Sequence, residues 1–135
     1  MRKIAFGLSL FILLLTLCAC GGNISDVNII IPSDSSLYST AEIEDAIDVT
    51  MDYFKKEFDG CTLTEITYAG DETSADFAEW AQRIDGDDVI VLISSFDVGD
   101  SGGDGSLNPN STYTKWKWIL ARKEGGRWQH VDHGY

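Results

Sequence analysis

The sequence predicts an α+β domain: a long helix near the N-terminus, packed on one face of an antiparallel sheet of about four strands. Three observations carry this. The segment Ala41 to Asp59 repeats its apolar residues at helical spacing. The C-terminal half holds three strand-like runs. No crossover helix separates those runs, so neighbouring strands run antiparallel and helices gather on one face.

Taken in order, the chain opens with Met1-Arg2-Lys3, an uncharged Leu-rich run from Ile4 to Leu17, and Leu17-Cys18-Ala19-Cys20. A basic start, a short apolar run and small residues at its end are the parts of a secretory signal. The run is shorter than the roughly 20 residues a spanning helix needs. Residues 1–19 therefore read as a signal peptide, 20–36 as a tether and 37–135 as the extracytoplasmic domain. An uncleaved signal anchor is the alternative, and it also places Asn23 onward outside the cytoplasm.

Within the tether, Ile29-Ile30-Ile31-Pro32 is an apolar knot suited to a short edge strand ended by Pro32. Ser39-Thr40-Ala41-Glu42 fits a capping box. Ile43, Ala46, Ile47, Met51, Phe54 and Phe58 then form the buried stripe of the helix. Acidic residues crowd its early turns and Lys55-Lys56 its last, as the helix dipole favours, and Gly60 stops it. Cys61 to Tyr68 reads as a strand. Leu63 and Ile66 differ in parity there, so the strand either carries a bulge or is buried on both faces. Ala75 to Ala81 is a short helix with Phe77, Trp80 and Ala81 on one stripe. Val89 to Val98 is apolar on both faces and belongs in the middle of a sheet. Tyr113 to Lys123 puts Trp116, Trp118 and Leu120 on one face, with Ile119 and Ala121 on the other. Glu124-Gly125-Gly126-Arg127 is a hairpin turn, and Trp128 to Tyr135 the last strand.

Charge narrows the function classes. Lys and Arg number 10 against 22 Asp and Glu, a net −12. Nucleic-acid binding needs clustered cations, so no nucleic-acid partner is expected. Loss of residues 1–19 removes Arg2 and Lys3, leaving 8 basic against 22 acidic residues, a net −14. Such a body is repelled by anionic lipid, so acyl chains alone hold it to a membrane. Cys61 becomes the lone thiol, which excludes an intramolecular disulfide.

Leu-x-Ala-Cys at the end of the apolar run resembles a bacterial lipobox, in which the Cys, here Cys20, is acylated and becomes the first residue after cleavage. Further along, Tyr113-Thr114-x-Trp116-x-Trp118-Ile119-Leu120-x-Arg122 and Trp128-x-x-Val131-Asp132-x-Gly134-Tyr135 resemble a family of small Firmicutes lipoproteins and exported proteins of uncharacterised activity. The loop Ser101 to Tyr113 resembles that family too. The likeness implies a cystatin-like or nuclear-transport-factor-2-like fold, a curved sheet wrapped on a long helix with a pocket between them. It implies no catalytic residues.

Five groups are candidate sites. Asp100, Asp104, Ser106 and Asn108 offer oxygen ligands for Ca²⁺ in a Gly-rich loop, yet Gly102 and Ser111 stand where an EF-hand needs carboxylates. Asp100, Asp104 and Asn108 are its best metal ligands, and a solvated hairpin loop is the plainer reading. His130, Asp132 and His133 could bind a metal or serve an enzyme, but strand alternation sets His130 and Asp132 on one side and His133 on the other. Cys61 as a nucleophile lacks the electropositive surroundings that ionise a thiol, since Glu57 and Asp59 precede it. Glu42, Glu44, Asp45, Asp48 and Asp52 fall mostly on a solvated helix face. The aromatic residues, above all Trp116 and Trp118 with Tyr113, could form a platform for a ligand or peptide.

These readings converge on a lipid-anchored, extracytoplasmic domain at the cell membrane. It is expected to be non-enzymatic and to bind a small ligand, a peptide or a protein partner between helix and sheet. A calcium-binding structural module and a nuclear-transport-factor-2-like enzyme are the alternatives.

Overall fold

The structure is a computed structural model that describes residues 21–135; the expected signal peptide, residues 1–19, and Cys20 lie outside the described residues. Ser39 starts helix α1 (Thr40–Glu57) with a capping box: its hydroxyl accepts from the Glu42 N–H while the Glu42 carboxylate accepts from its own N–H. Ile43, Ala46, Ile47 and Phe54 face inward from α1.

Five strands form one sheet in the order β1-β2-β3-β4-β5: β1 (Asn28–Ile30), β2 (Cys61–Tyr68), β3 (Asp88–Val98), β4 (Thr112–Arg122) and β5 (Gln129–Gly134). β2 to β5 pair antiparallel, whereas β1 runs parallel to β2. A short helix α2 (Asp71–Asp76) and a 3₁₀ segment (Ala78–Ile84) join β2 to β3.

This corrects the expected architecture. A long N-terminal helix on a curved, four-stranded antiparallel sheet of cystatin-like or nuclear-transport-factor-2-like type is not what the structure shows; the sheet is five-stranded and mixed, with short helical segments. The extra strand arises because Asn28–Ile30 enters the sheet beside Glu65, Ile66 and Thr67 before α1 crosses over. Nor do the helices share a face. One apolar cluster joins α1 to Leu63, Ile66, Ile90, Leu92, Trp118 and Leu120. The other joins Ala81 of the 3₁₀ segment to Val89, Val91, Ile119 and Ala121, with Phe77, Trp80 and Ile84 packed around it. β3 feeds both clusters, which is why its run is apolar on every residue from Val89 to Leu92.

Three strands each carry a bulge, and the bulges decide which side chains meet α1. In β2 the register with β3 shifts between Leu63 and Glu65. One extra residue in a strand restores the parity of those beyond it, so Leu63 and Ile66 both point to α1. In β4 two residues, Thr114 and Lys115, stand against the single Ser95, and Lys115 takes a positive φ of 56°. Tyr113 and Trp116 thereby share the α1 face. In β5, Val131 is the extra residue: Ile119 pairs with Asp132, but Leu120 pairs with His130.

The segment expected to be a tether is built into this frame. Asn23 bridges to Thr62 of β2, and the Asp71 carboxylate accepts from the Ser35 hydroxyl at 2.7 Å and the Ser36 N–H at 2.8 Å.

Candidate functional site

A cavity of about 280 Å³ opens where the end of α1, the 99–111 loop and strands β4 and β5 converge. Tyr53 and Phe58 reach it from the helix end, Trp116 from β4 and His133 from β5. Glu57, Asp59 and Asp104 also line it, and among the described residues no Lys or Arg does. Cys61 lines it as well, at the start of β2.

The loop is folded for this position. Gly102 accepts backbone hydrogen bonds from Gly105 at 3.0 Å and Leu107 at 3.1 Å, and at φ 67° a Cβ there would lie 2.5 Å from the Leu107 carbonyl oxygen. Only glycine suits that turn. The turn tucks Leu107 back onto the α1 cluster, so the loop caps the end of the core.

The bulge at Val131 remakes the His–Asp group. The sequence alternation placed His130 with Asp132 and His133 opposite. Instead His130 and His133 share the α1 face, Nε2 to Nδ1 at 3.0 Å, and Asp132 turns to the other face, 3.3 Å from Arg83. His130 stacks on Tyr53 with centroids 3.9 Å apart, and His133 lies over Trp116 at 5.7 Å. Burial pushes both imidazoles down, His130 to about 4 with the neighbouring His133 adding to it, and Asp132 opposes only in part. Both rings are neutral at pH 7, and one donates to the other. A His130–Asp132 dyad for acid–base work does not form.

Of the aromatic platform, Trp116 lines the cavity, while Trp118 is fully buried and its indole N–H donates to the Ser94 hydroxyl at 2.8 Å. Trp118 is a core residue with no surface to offer. Tyr113 is half-buried, stacked on Phe96 and edge-on to Trp116, outside the cavity lining. The Trp116 indole N–H is buried without a hydrogen-bond partner among the described residues.

The candidate calcium ligands Asp100, Asp104 and Asn108 all lie on the 99–111 loop. Asp104 spends one carboxylate oxygen on the Ser106 N–H and hydroxyl, the Asn108 N–H donates to the Tyr113 hydroxyl at 3.2 Å, and Asp100 is exposed. Among the described residues no group of three His, Cys, Asp or Glu side chains could hold a metal ion. Burial pushes the Cys61 thiol up, and Asp104 and Asp59 push it further, so it is protonated at neutral pH and a poor nucleophile. Glu42 is tied to Arg122 and to the helix cap, while Glu44, Asp45, Asp48 and Asp52 are exposed.

Tyr53, Glu57, Phe58, Asp59, Gly103 and Leu107 line the cavity without having been marked as site residues by the sequence pattern. Tyr53 lies beside the Phe54 stripe, and its role depends on β5 standing next to α1, which no local pattern marks. Among the described residues no helix is long and apolar enough to cross a membrane. No protein-family model matches the chain, nor does any curated protein or solved structure.

Proposed function

We propose that the protein is a lipid-anchored, extracytoplasmic binding domain, non-enzymatic, whose site is the cavity at the end of α1. The lipobox at Leu17 to Cys20 supports the anchor: residues 1–19 direct export and Cys20 carries the acyl chains. The lining of the cavity carries the binding reading. Four aromatic side chains, Tyr53, Phe58, Trp116 and a neutral His133, with three acidic residues and, among the described residues, no Lys or Arg, suit an organic ammonium group. Each cation–π contact contributes about 0.5–2 kcal/mol. At 280 Å³ the cavity holds one such group, not a drug-sized molecule, so affinity for the isolated group is on the order of millimolar.

Titration of intrinsic tryptophan fluorescence with tetramethylammonium, butylammonium and butyrate tests this. A saturating response to the two cations, absent with butyrate and lost in Trp116→Ala, supports the reading. An equal response to butyrate removes the charge preference, and silence with all three removes the site. Incorporation of a palmitate analogue, abolished in Cys20→Ser, tests the anchor separately.

A further inference from the structure

We infer that the acylated domain has no tether and is seated directly on the bilayer, with the end of α1, the Gly60 turn and the 99–111 loop toward the lipid. The inference rests on the lipoprotein reading of Cys20. Its own basis is how the chain continues from that residue. Gly21 is bonded to Cys20, and the very next residue is already fixed to the domain: the Gly22 N–H donates to the Lys55 carbonyl at 3.0 Å. The Asn23 N–H donates to the Cys61 carbonyl at 2.8 Å, and the Asn23 carbonyl accepts from the Leu63 N–H at 2.9 Å. The fit admits no side chain. A Cβ on Gly21 would stand 2.1 Å from the Lys55 carbonyl oxygen, and one on Gly22 2.5 Å from the Phe54 ring.

Reach follows from this. A flexible tether over 20–36 would let the domain wander about 20 Å from its anchor. The two steps from Cys20 to Gly22 span at most about 7 Å, which keeps the anchored end within about a Debye length, about 8 Å, of the acylated residue. Lys55 and Lys56 sit at the anchored end of α1 and lower, without cancelling, the negative charge that Glu57, Asp59, Asp100 and Asp104 place there. Glu42, Glu44 and Asp45 lie at the opposite end, about 20 Å away along the helix, where a bilayer does not feel them.

The seat also positions the cavity. Cys61 is held by Asn23 on one side, and its Sγ lies 3.6 Å from where a Cβ of Gly103 would be on the other. The cavity is therefore membrane-proximal, and its ligand arrives along the interface.

The acylated protein, purified from bacterial membranes and reconstituted into phosphatidylcholine–phosphatidylglycerol vesicles containing brominated lipid, provides the test. An environment-sensitive dye is placed on Ser101→Cys in the loop or on Glu124→Cys in the β4–β5 hairpin. Quenching several-fold stronger at 101 than at 124 is expected. A spacer of about twelve Gly and Ser residues inserted between Cys20 and Gly21 is expected to erase the difference. Equal quenching at both positions without the spacer overturns the inference. A difference that survives the spacer overturns it too, since the seat would not be its cause. Vesicle flotation that persists in Cys20→Ser, with no acyl chain on the wild type, instead sinks the lipoprotein reading and is read independently of the dyes.

Discussion

His130 makes the stability of this domain depend on pH in a window that opens well above that of its depressed carboxylates. The ring is sandwiched by Tyr53 at 3.9 Å and joined to His133 at 3.0 Å, half-buried on the α1 face of β5. Burial strips water from a protonated ring there, the neighbouring His133 adds to the cost, and the folded value is pushed down to about 4 from 6.5. With the folded pKa below the unfolded one, the unfolded chain binds more protons between those two values. Stability is therefore full above pH 6.5 and falls as pH drops toward 4. At full strength the difference amounts to about 3 kcal/mol. The ring is partly exposed, and solvent screening reduces this to about 1–1.5 kcal/mol, or about 4–6 °C in melting temperature for a domain of this size. Thermal melts followed by circular dichroism at pH 7 and pH 4.5, on wild type and His130→Phe, read it directly. Phenylalanine keeps the stack on Tyr53 and removes the proton site. The wild type should lose about 4–6 °C more than the variant between the two pH values. Equal losses would refute the assignment, since the carboxylates, Glu42 and Asp71 included, are common to both proteins and cancel in the comparison.

Two further perturbations probe the frame around the site. Trp118→Ala removes the largest fully buried side chain and strands the Ser94 hydroxyl; urea denaturation should show a loss of about 3–5 kcal/mol, and a loss below about 1 kcal/mol would return Trp118 to the surface. Asp71 accepts from Ser35, Ser36 and the Tyr68 hydroxyl, and these bonds hold its carboxyl well below the usual range. Its contribution is thus present above about pH 3.8 and lost as pH falls further. Asp71→Asn should flatten the acid limb of the stability curve and speed hydrogen exchange at the Ser36 amide, and an unchanged amide would separate Asp71 from the docking of residues 35–36.

Features set by neighbouring residues are legible in the sequence. The capping box of α1 needs only Ser39 and Glu42 three residues apart, and both of its bonds form. The double-sided apolarity of Val89 to Leu92 needs only composition, and β3 lies in the middle of the sheet. The parallel pairing of β1 could not be read, because Ile29 and Ile30 remain largely exposed and carry no alternation to mark a face. The partner of Asp132 was hidden for a related reason. Arg83 lies 49 residues away in the 3₁₀ segment, and only the second helical layer brings it across.

The bulges account for the rest, and they act together. Strand alternation alone would send Leu63 and Ile66, Tyr113 and Trp116, and His130 and His133 to opposite faces. In each pair an extra residue, at Thr64, at Thr114–Lys115 and at Val131, brings both members to the α1 side. The helix thus meets a sheet face richer in large side chains than any period-two reading allows. Tyr53 finds His130 to stack on, Phe58 finds Trp116 and His133, and the cavity acquires aromatic walls from two adjacent strands. A bulge is a property of pairing between strands: it depends on where Ser95 and Leu120 fall opposite their partners, and neighbouring residues in the chain do not announce it. The site is in this sense made by register. Its chemistry was present in the sequence as Trp, Tyr and His, but which of them share a surface was settled only when the strands paired.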